Sequence, residues 1–462
     1  MPLALEINGL TITAGAEPVV RGIHLQLHAG AAFTVLGESG SGKSLMAQAV
    51  MGTLPSSLAA SGDIALWGRR LLPGTPRDWG IEVAMLPQEP WLSLNPSMHL
   101  HAQVAEVRHC VRGQPWPAAR LHADQALAQV DLSPARHKYP HQISGGMGQR
   151  LAFAATRASG AKLLIADEPT KGLDTALRDQ IGALLLGQLQ PDQALLTITH
   201  DVALARLLGG TVAVMLDGEI IEQGPADQVL CHPRHAYTQA LVQAEPAHWP
   251  QLAQPLRADA APVVQGLGLG KNFGAQRLFD GVDLALHQGE IVAITAPSGC
   301  GKTTLGHMLL GLVPPDHGTV RRAKNRPHAF QKLYQDPPAA FAPQRRVGDS
   351  LADLVKLHRL SSADAQGLMA ELKLDKALLA RLPSEVSGGE LQRFALLRVL
   401  LLQPDFIFAD EPTSRLDPIT QQRTLALLCA HTAEHQWGLL LVTHDAEMAH
   451  KAAHRRAGVV FG

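Results

Sequence analysis

Two glycine-rich stretches of the chain carry the residue types that bind the phosphates of a nucleotide. The first, GESGSGKS at 37–44, fits the pattern G-x-x-x-x-G-K-[ST] completely and lies between an apolar run and a helix-like run. Loop amides and the helix N-terminus supply positive potential, the lysine reaches the β and γ phosphates, and the hydroxyl that follows is a Mg²⁺ ligand. The candidates here are Gly37, Ser39, Gly40, Gly42, Lys43 and Ser44.

The second stretch, APSGCGKT at 296–303, has alanine in place of the first glycine. Alanine fits if that position has a negative φ, so we expect a second phosphate site with Thr303 as its Mg²⁺ ligand. The candidates here are Ser298, Gly299, Gly301, Lys302, Thr303 and Thr304.

An Asp-Glu pair ends a short apolar run in each half of the chain, and a histidine follows a further run. At a strand end beside the phosphate loop, the aspartate can hold Mg²⁺ through water and the glutamate can orient the attacking water. The matching positions of the histidines favour contact with the γ phosphate or with the glutamate. We expect Asp167 and Asp410 at the metal, and Glu168, His200, Glu411 and His444 as catalytic residues.

These motifs occur in one order in both halves: glycine-rich loop, glutamine, Ser-Gly-Gly, Asp-Glu-Pro-Thr, Thr-His-Asp. A long-period recurrence of five landmarks indicates two copies of a whole domain. Short apolar runs between helix-like stretches predict an α/β fold in each copy, with a parallel sheet and helices on both faces. The runs that precede the motifs are 33–36, 163–166, 194–198, 291–295, 406–409 and 438–442.

We expect a first domain at 1–245 and a second at 263–462, joined by a linker at 246–262. Prolines interrupt regular structure in the linker and make it semi-rigid. The first copy continues beyond Thr-His-Asp, where 212–224 predicts two short strands around a turn at Asp217-Gly218.

Bulk properties exclude several classes of protein. Among 462 residues, 46% are hydrophobic and 18% are charged, which is typical of a chain with sizeable cores. The net charge of -1 argues against a nucleic-acid footprint. We find no apolar run long enough for a membrane span and no signal-peptide pattern. The four cysteines are scattered and form no CxxC pair, which favours a reduced cytosolic compartment. Among the 22 histidines we expect no tract and no ligand-spaced cluster of the kind that a metal store would need.

With Ser-Gly-Gly between the phosphate loop and the Asp-Glu pair, the chain resembles the ATP-binding-cassette ATPases twice, over nearly its whole length. The resemblance implies two P-loop NTPase domains, each with a parallel-sheet core, an antiparallel β subdomain and a helical subdomain, and it implies ATP and Mg²⁺ as cofactors. It also implies that each signature motif caps the nucleotide of the other cassette, so that the cassettes pair within the chain. The signature residues are Ser144, Gly145, Gly146, Ser387, Gly388 and Gly389.

Further positions match the family. Gln88 and Gln335 match the glutamine that senses Mg²⁺ and the membrane subunit, and Asp174 and Asp417 match an aspartate at the seam between cassettes. The resemblance also implies an aromatic residue under each adenine. Phe273 provides it in the second copy.

Two departures from the family pattern predict unequal sites. In the first copy the place of the adenine-stacking aromatic, around Ala14, has none, which weakens stacking by about 1–2 kcal/mol. The last signature residue, often glutamine in the family, is Met147 in one copy and Glu390 in the other.

Three segments resemble those of oligopeptide, dipeptide and nickel importers, whose two ATPases are usually separate chains: QEPWLSLNP at 88–96, YPH at 139–141 and HPRHAYTQAL at 232–241. The resemblance implies an energy-coupling subunit at the cytoplasmic face of the inner membrane. It would drive two integral membrane permease subunits that receive peptide, nickel or a metal chelate from an extracytoplasmic substrate-binding protein. The helix-rich segments 97–142 and 344–385 are the expected docking surfaces.

Two alternatives remain at the level of sequence. A sugar-importer twin ATPase would share the cassettes, but the segments at 88–96 and 232–241, which resemble those of peptide and nickel importers, argue against it. A soluble twin-cassette factor acting on ribosomes or DNA usually carries a long charged arm or zinc-binding cysteines between its cassettes, whereas this linker is short and proline-rich.

Overall fold

A computed structural model describes residues 2–38, 40–71, 77–173, 175–187, 189–257, 259–274, 276–296, 300–323, 326, 328–414 and 416–461. These form two compact units, Met1–Val242 and Gln243–Gly462. None of the helices in the described ranges is long and apolar enough to cross a membrane.

The first unit contains the first of the two glycine-rich loops. Its strands are β1 (Leu3–Ala14), β2 (Glu17–His28), β3 (Ala32–Gly37), β4 (Leu58–Leu66), β5 (Arg69–Leu71), β6 (Val83–Leu86), β7 (Leu163–Asp167), β8 (Ala194–Thr199), β9 (Thr211–Leu216) and β10 (Glu219–Pro225). Its helices are α1 (Lys43–Met51), α2 (Leu100–Arg112), α3 (Trp116–Gln129), α4 (Gly145–Ala158), α5 (Thr175–Gly187), α6 (Val202–Leu208), α7 (Ala226–Cys231) and α8 (Ala236–Gln243).

A central sheet in the order β10-β9-β3-β8-β7-β6 forms the core of this unit. Its neighbours run parallel, except for the β9–β10 hairpin. Because side chains alternate along a strand, Leu163 and Ile165 of β7 face the core shared with α1 and β1, whereas Leu164 and Ala166 face the core shared with α2 and α4. Burial on both faces explains why these strands read as continuous apolar runs.

The smaller parts of the first unit flank this sheet. An antiparallel sheet has the order β2-β1-β4-β5, and helices α2 and α3 pack against each other and against α4. The predicted hairpin turn is confirmed: Asp217 and Gly218 both have positive φ, 47° and 85°, as a two-residue type I′ turn requires.

The second unit repeats this plan. Its strands are β11 (Pro262–Phe273), β12 (Gln276–His287), β13 (Ile291–Ile294), β14 (His317–Arg322), β15 (Phe330–Leu333), β16 (Phe406–Asp410), β17 (Gly438–Val442) and β18 (Arg455–Arg456). Its helices are α9 (Lys302–Leu310), α10 (Val347–His358), α11 (Ser362–Glu371), α12 (Gly388–Leu401), α13 (Pro418–His435) and α14 (Ala446–Ala452).

In this unit the parallel sheet has the order β15-β16-β17-β13-β18, and an antiparallel sheet has the order β12-β11-β14. Phe406 and Phe408 of β16 face the core shared with α9 and β11, and Ile407 and Ala409 face the helical side. The predicted α/β class, with parallel, antiparallel and helical parts, is confirmed.

The segment expected to act as a linker packs at its start within the second unit. Trp249 is 1% exposed and belongs to the core on the helical side of the parallel sheet. Its indole Nε1 donates to the carbonyl of Ala244 at 2.8 Å, and the amide of Leu252 donates to the carbonyl of Lys451 at 2.8 Å.

Candidate functional site

The first glycine-rich loop connects β3 to α1 and is shaped by close backbone approaches. A Cβ at Gly37 would lie 2.2 Å from the carbonyl oxygen of Met215, and one at Gly42 would lie 2.8 Å from Val20 Cγ2. Gly42 also has a φ of 98°, which favours glycine. Helix α1 begins directly after this turn, so its first amides border the loop and can bind phosphate oxygens.

The second loop has the same plan. Gly301 has a φ of 115°, and α9 begins at the next residue with Lys302, Thr303 and Thr304 in its first turn. In the first loop Gly40 has a φ of 89°. The predicted phosphate-binding residues Ser39, Ser298 and Gly299 lie outside the described residues.

The two loop lysines fold back over their own loops. Lys43 Nζ donates to the carbonyls of Gly37 at 2.8 Å and Glu38 at 2.6 Å, and Lys302 Nζ donates to the carbonyl of Ala296 at 2.6 Å. Each ammonium is buried beside the phosphate cradle. An ammonium has three donors and no acceptor, so phosphate oxygens can take over from these carbonyls when nucleotide binds.

A hydroxyl at the start of each helix meets the carboxylate at the end of a parallel strand. Ser44 Oγ donates to Asp167 Oδ1 at 3.3 Å, and Thr303 Oγ1 donates to Asp410 Oδ2 at 2.8 Å. Burial raises the pKa of both carboxyls above their ordinary range, against the opposing effect of these hydrogen bonds. Hydroxyl and carboxylate oxygens are the hard ligands that Mg²⁺ prefers, so the donor set fits this ion.

The glutamate after each aspartate has an unusual backbone. Glu168 and Glu411 have φ values of 49° and 46°, a left-handed conformation that costs about 1–3 kcal/mol in a residue with a side chain. Their amides donate to the carbonyls of Ile198 at 2.8 Å and Val442 at 3.0 Å, which holds each bend against the neighbouring strand. The bend turns the carboxylate toward the histidine that follows that strand.

In the first unit the glutamate is held by two side chains. His200 Nδ1 lies 2.8 Å from Glu168 Oε1, and Thr199 Oγ1 donates to Glu168 Oε2 at 3.2 Å. In the second unit, Gln335 Nε2 donates to Glu411 Oε2 at 2.7 Å, and His444 Nδ1 is 3.7 Å from that oxygen. The motifs are the same in both units, but the partners of the two carboxylates differ.

Electrostatics keeps these glutamates ionised. Burial acts to raise the pKa of Glu168, but the charge of His200 and its hydrogen bond outweigh burial, so the pKa lies below its ordinary range. The same balance, with His444, lowers the pKa of Glu411. Burial acts to lower the pKa of His200, and the carboxylate of Glu168 raises it overall. An ionised glutamate can accept a hydrogen bond from an attacking water.

Each signature motif caps a helix. Ser144 is the N-cap of α4 and its Oγ accepts from the amide of Met147 at 3.5 Å, and Ser387 is the N-cap of α12 and accepts from the amide of Glu390 at 3.3 Å. Ser144 and Ser387 are exposed. The glycines Gly145, Gly146, Gly388 and Gly389 form the first turns of these helices, where free amides can meet an anion.

The two signatures differ in charge. Glu390 Oε2 accepts from the amide of Ser387 at 3.0 Å and from its hydroxyl at 2.6 Å. The hydroxyl proton of the second signature serine is therefore already donated to a carboxylate. Met147 is the residue at this position in the first signature. The departure seen in the sequence therefore changes the hydrogen bonding of one signature serine.

The aromatic asymmetry has a counterpart in the fold. Phe273 ends β11, pairs in register with Gln276 and is 57% exposed, with Lys271 Nζ 5.9 Å from its ring. Ala14 ends β1 and pairs with Glu17 at the same point of its hairpin. The two positions are thus equivalent in topology, and the second has the exposed ring.

The remaining predicted positions lie near these elements. Gln88 and Gln335 each follow the edge strand of their parallel sheet by two residues, β6 and β15. Asp417 is the N-cap of α13, and its Oδ1 accepts from the amide of Thr420 at 3.0 Å. Its counterpart Asp174 lies outside the described residues.

The sequence motifs did not reveal a cation beside the second metal position. Lys332 on β15 is partly buried, and its Nζ lies 2.8 Å from His307 Nε2 on α9. Burial lowers the pKa of Lys332, and the charge of Asp410 opposes this effect. The same register positions in the first unit carry Met85 and Gln48. The difference between the two copies at these positions is the sequence signal that points to Lys332.

Comparisons with known proteins agree with this geometry. The family model described as ABC transporter matches residues 20–171 and 279–414, well over half of the chain. The chain is 34% identical to the peptidoglycan transport ATP-binding protein YejF of Agrobacterium fabrum over 96% of this chain and 88% of that protein. It is 31% identical to the glutathione import ATP-binding protein GsiA of Salmonella typhi over 99% of this chain and 85% of that protein.

A solved structure gives the same answer for the fold. The RNase-L inhibitor structure matches with a TM-score of 0.68 at 19% identity, covering 96% of this chain and 87% of that chain. At this identity the likeness is one of fold. The chain belongs to the ABC transporter family, as a twin-cassette ATP-binding subunit that is homologous to import ATP-binding proteins and couples ATP hydrolysis to transport.

Proposed function

We propose that the cassettes, taken as 1–245 and 263–462 with a connecting segment at 246–262, close on two Mg²⁺-bound ATP molecules to drive an importer. The observation that carries the proposal is the duplicated set of side chains at the carboxyl ends of the parallel strands in each unit. In each unit a loop lysine, a hydroxyl–aspartate pair and a glutamate–histidine pair come together. Phosphoryl transfer to water needs positioning and charge stabilisation, which these groups supply.

The proposed sequence of events follows from the hydrogen bonds. Lys43 and Lys302 exchange their loop carbonyls for β and γ phosphate oxygens. Ser44 and Thr303, with Asp167 and Asp410 and with Gln88 and Gln335, would hold Mg²⁺, which neutralises charge on the phosphates when bound. Glu168 and Glu411 orient the attacking water, and His200 and His444 turn from the glutamates to the γ phosphate. The signature of the opposite cassette completes each site.

The same proposal extends to partners and location. Two integral membrane permease subunits would dock on the helical parts, 97–142 and 344–385, and the assembly would sit at the cytoplasmic face of the inner membrane. Leu92, which is 85% exposed and lies four residues after Gln88, would add apolar surface to this contact. An extracytoplasmic binding protein would deliver the cargo.

For the cargo we propose a peptide-containing solute. The relatives are named for transport of peptidoglycan and import of glutathione, and both of these contain peptide groups. Nickel and metal chelates, which the importer segments of the sequence also allow, become outcomes of the test.

The test purifies the chain from its host cells, identifies the integral membrane subunits or ribosomes that are recovered with it, and reconstitutes the recovered membrane complex. We expect Glu168→Gln with Glu411→Gln to abolish ATP hydrolysis, by at least about 100-fold, and to stop uptake of labelled peptide while the complex still assembles. Undiminished hydrolysis would contradict the catalytic assignment. Uptake of nickel rather than peptide would contradict the cargo alone, and recovery with ribosomes in place of membrane subunits would contradict the importer.

A further inference from the structure

The C-terminal turn of α13 carries a set of metal-ligating side chains that the mechanism does not use. His431, Glu434 and His435 stand at i, i+3 and i+4, so they share one face of the helix. One ligand atom of each lies within 4.8 Å of those of the other two. The expectation that the histidines include no ligand-spaced cluster is therefore wrong, because H-x-x-E-H at 431–435 has the spacing that puts three ligands on one face of a helix.

His431 is oriented from the far side by a second helix. Its Nε2 lies 3.4 Å from Glu371 Oε2, at the end of α11. Its Nδ1 is buried and has no hydrogen-bond partner among the described residues. A histidine that gives one ring N–H to a carboxylate keeps its other nitrogen as a lone-pair donor, which is the usual arrangement behind a metal-bound imidazole.

Stacked rings hold the second histidine in place. The rings of His431 and His435 are nearly parallel, with centroids 5.4 Å apart, and His435 stacks on Trp437 with centroids 5.0 Å apart. Trp437 is 3% exposed, so one side of the stack rests on the protein core. The cluster also lies at the end of the longest helix of its unit, where the helix dipole favours a cation.

We propose that His431, Glu434 and His435 bind a divalent transition-metal ion, with Glu371 as the carboxylate that orients His431. Two imidazoles and one carboxylate select Zn²⁺, Ni²⁺ or Co²⁺ over Mg²⁺ and Ca²⁺, which require oxygen ligands. Glu434 and His435 are exposed, so water completes the coordination.

A bound ion would join two parts of the second unit. Helix α11 belongs to the helical part, and buried residues of α13 share one hydrophobic core with that part and with the parallel sheet. Through the Glu371–His431 contact, the ion would fix the end of α11 against α13 and stiffen the helical part. The site is separate from the phosphate loop and from the hydroxyl–aspartate pair, so it is a second metal position with its own selectivity.

The test uses the full chain without nucleotide, in excess Mg²⁺, with exposed thiols alkylated. Ni²⁺ alone, and then Co²⁺ and Zn²⁺, are titrated by calorimetry and counted by equilibrium dialysis. We expect His431→Gln with His435→Gln to remove the tightest site, and Glu371→Gln to weaken it by about 10–100-fold. His24→Gln with His450→Gln, which changes two exposed histidines elsewhere, should leave that site intact.

A stability measurement guards against misfolded variants. We expect Ni²⁺ to raise the melting temperature of the wild type and of the control, and to leave that of the His431/His435 variant unchanged. The proposal is overturned if the wild type has no transition-metal site in the micromolar range, or if the His431/His435 variant binds as the wild type does. It is also overturned if the control loses binding to the same extent.

Discussion

Single residues give the candidate catalytic glutamates of the two units different hydrogen-bond partners. Glu168 is bonded to Thr199 and His200, whereas Glu411 takes its short hydrogen bond from Gln335. If the side-chain oxygen of Gln335 binds Mg²⁺ as proposed, its amide group can still donate to Glu411, so the metal and the glutamate would be linked through one side chain in the second unit. In the first unit the glutamate is bonded to His200 instead, so its proposed release would depend on the charge of that histidine and therefore on pH.

The first prediction concerns the charge of His200. We expect its pKa in the nucleotide-free chain to exceed the ordinary value of about 6.5, because the ionised Glu168 stabilises the imidazolium. NMR titration of labelled histidines, with His200→Gln for assignment, measures this value. Glu168→Gln should bring the pKa of His200 down, and an unchanged value would contradict the ion pair.

The same pair gives stability a defined pH dependence. The pKa of His200 is raised on folding, so its contribution is complete below about pH 6.5 and is lost as pH rises through the folded value. The pKa of Glu168 is lowered, so its contribution is complete above about pH 4.3 and is lost as pH falls through the folded value. In urea unfolding, the wild type should therefore exceed Glu168→Gln in stability most between these limits.

The second prediction concerns Lys332. Its charge acts on Asp410, so it should compete with Mg²⁺ for that carboxylate. We expect Lys332→Met, which introduces the residue found at Met85, to lower the Mg²⁺ concentration needed for half-maximal ATP binding by about threefold. The reciprocal Met85→Lys should raise it. Unchanged Mg²⁺ dependence in both variants would show that Lys332 plays a packing role only.

Helices α4 and α12 are the elements that connect the signatures to the catalytic strands. Buried Gln149 on α4 donates to the carbonyl of Pro169 at 2.7 Å, next to Glu168. Buried Gln392 on α12 donates to the carbonyl of Tyr334 at 3.3 Å, next to Gln335. Motion of a signature would thus reach the glutamate loop in one unit and the glutamine loop in the other.

The third prediction separates capping from catalysis. Ser387→Ala and Ser361→Ala each remove an N-cap hydroxyl, from α12 and α11, and should each cost about 1 kcal/mol of stability in urea unfolding. Only Ser387→Ala should also slow hydrolysis at the site that its signature completes, by about 100-fold, because it removes a phosphate donor. Equal loss of turnover in both variants would reduce the serine to a structural cap.

The strands and phosphate loops could be predicted from the sequence because apolar runs and glycine spacing are local signals. The predicted run 291–295 and β13 differ by one residue, and 438–442 matches β17. The packing of Trp249 and the pairing of Lys332 with His307 depend on contacts over long sequence distances, which no local pattern carries. The spacing of His431, Glu434 and His435 is present in the sequence. The contact that orients the His431 ring comes from Glu371, 60 residues away, and no local pattern predicts it.

At the scale of the whole molecule, one chain contains two ATPase cassettes that differ at matching positions. One has the exposed Phe273, Lys332 near its metal position and a glutamate bonded to Gln335. The other has Ala14 and Met85 at the first two positions, and its glutamate is bonded to Thr199 and His200. If each signature completes the site of the opposite cassette, every site combines residues from both halves. Fusion then fixes the ratio of the two cassettes at one to one.

Whether each signature completes the site of the opposite cassette is tested most directly by counting trapped ATP in a Glu168→Gln, Glu411→Gln chain, which should hold about two molecules when closed. Lys43→Ala with Ser387→Arg would damage one shared site and leave about one ATP, whereas Lys302→Ala with Ser387→Arg would damage both and leave none. The reverse result, one ATP with Lys302→Ala and none with Lys43→Ala, would show that each cassette uses its own signature and would contradict the account.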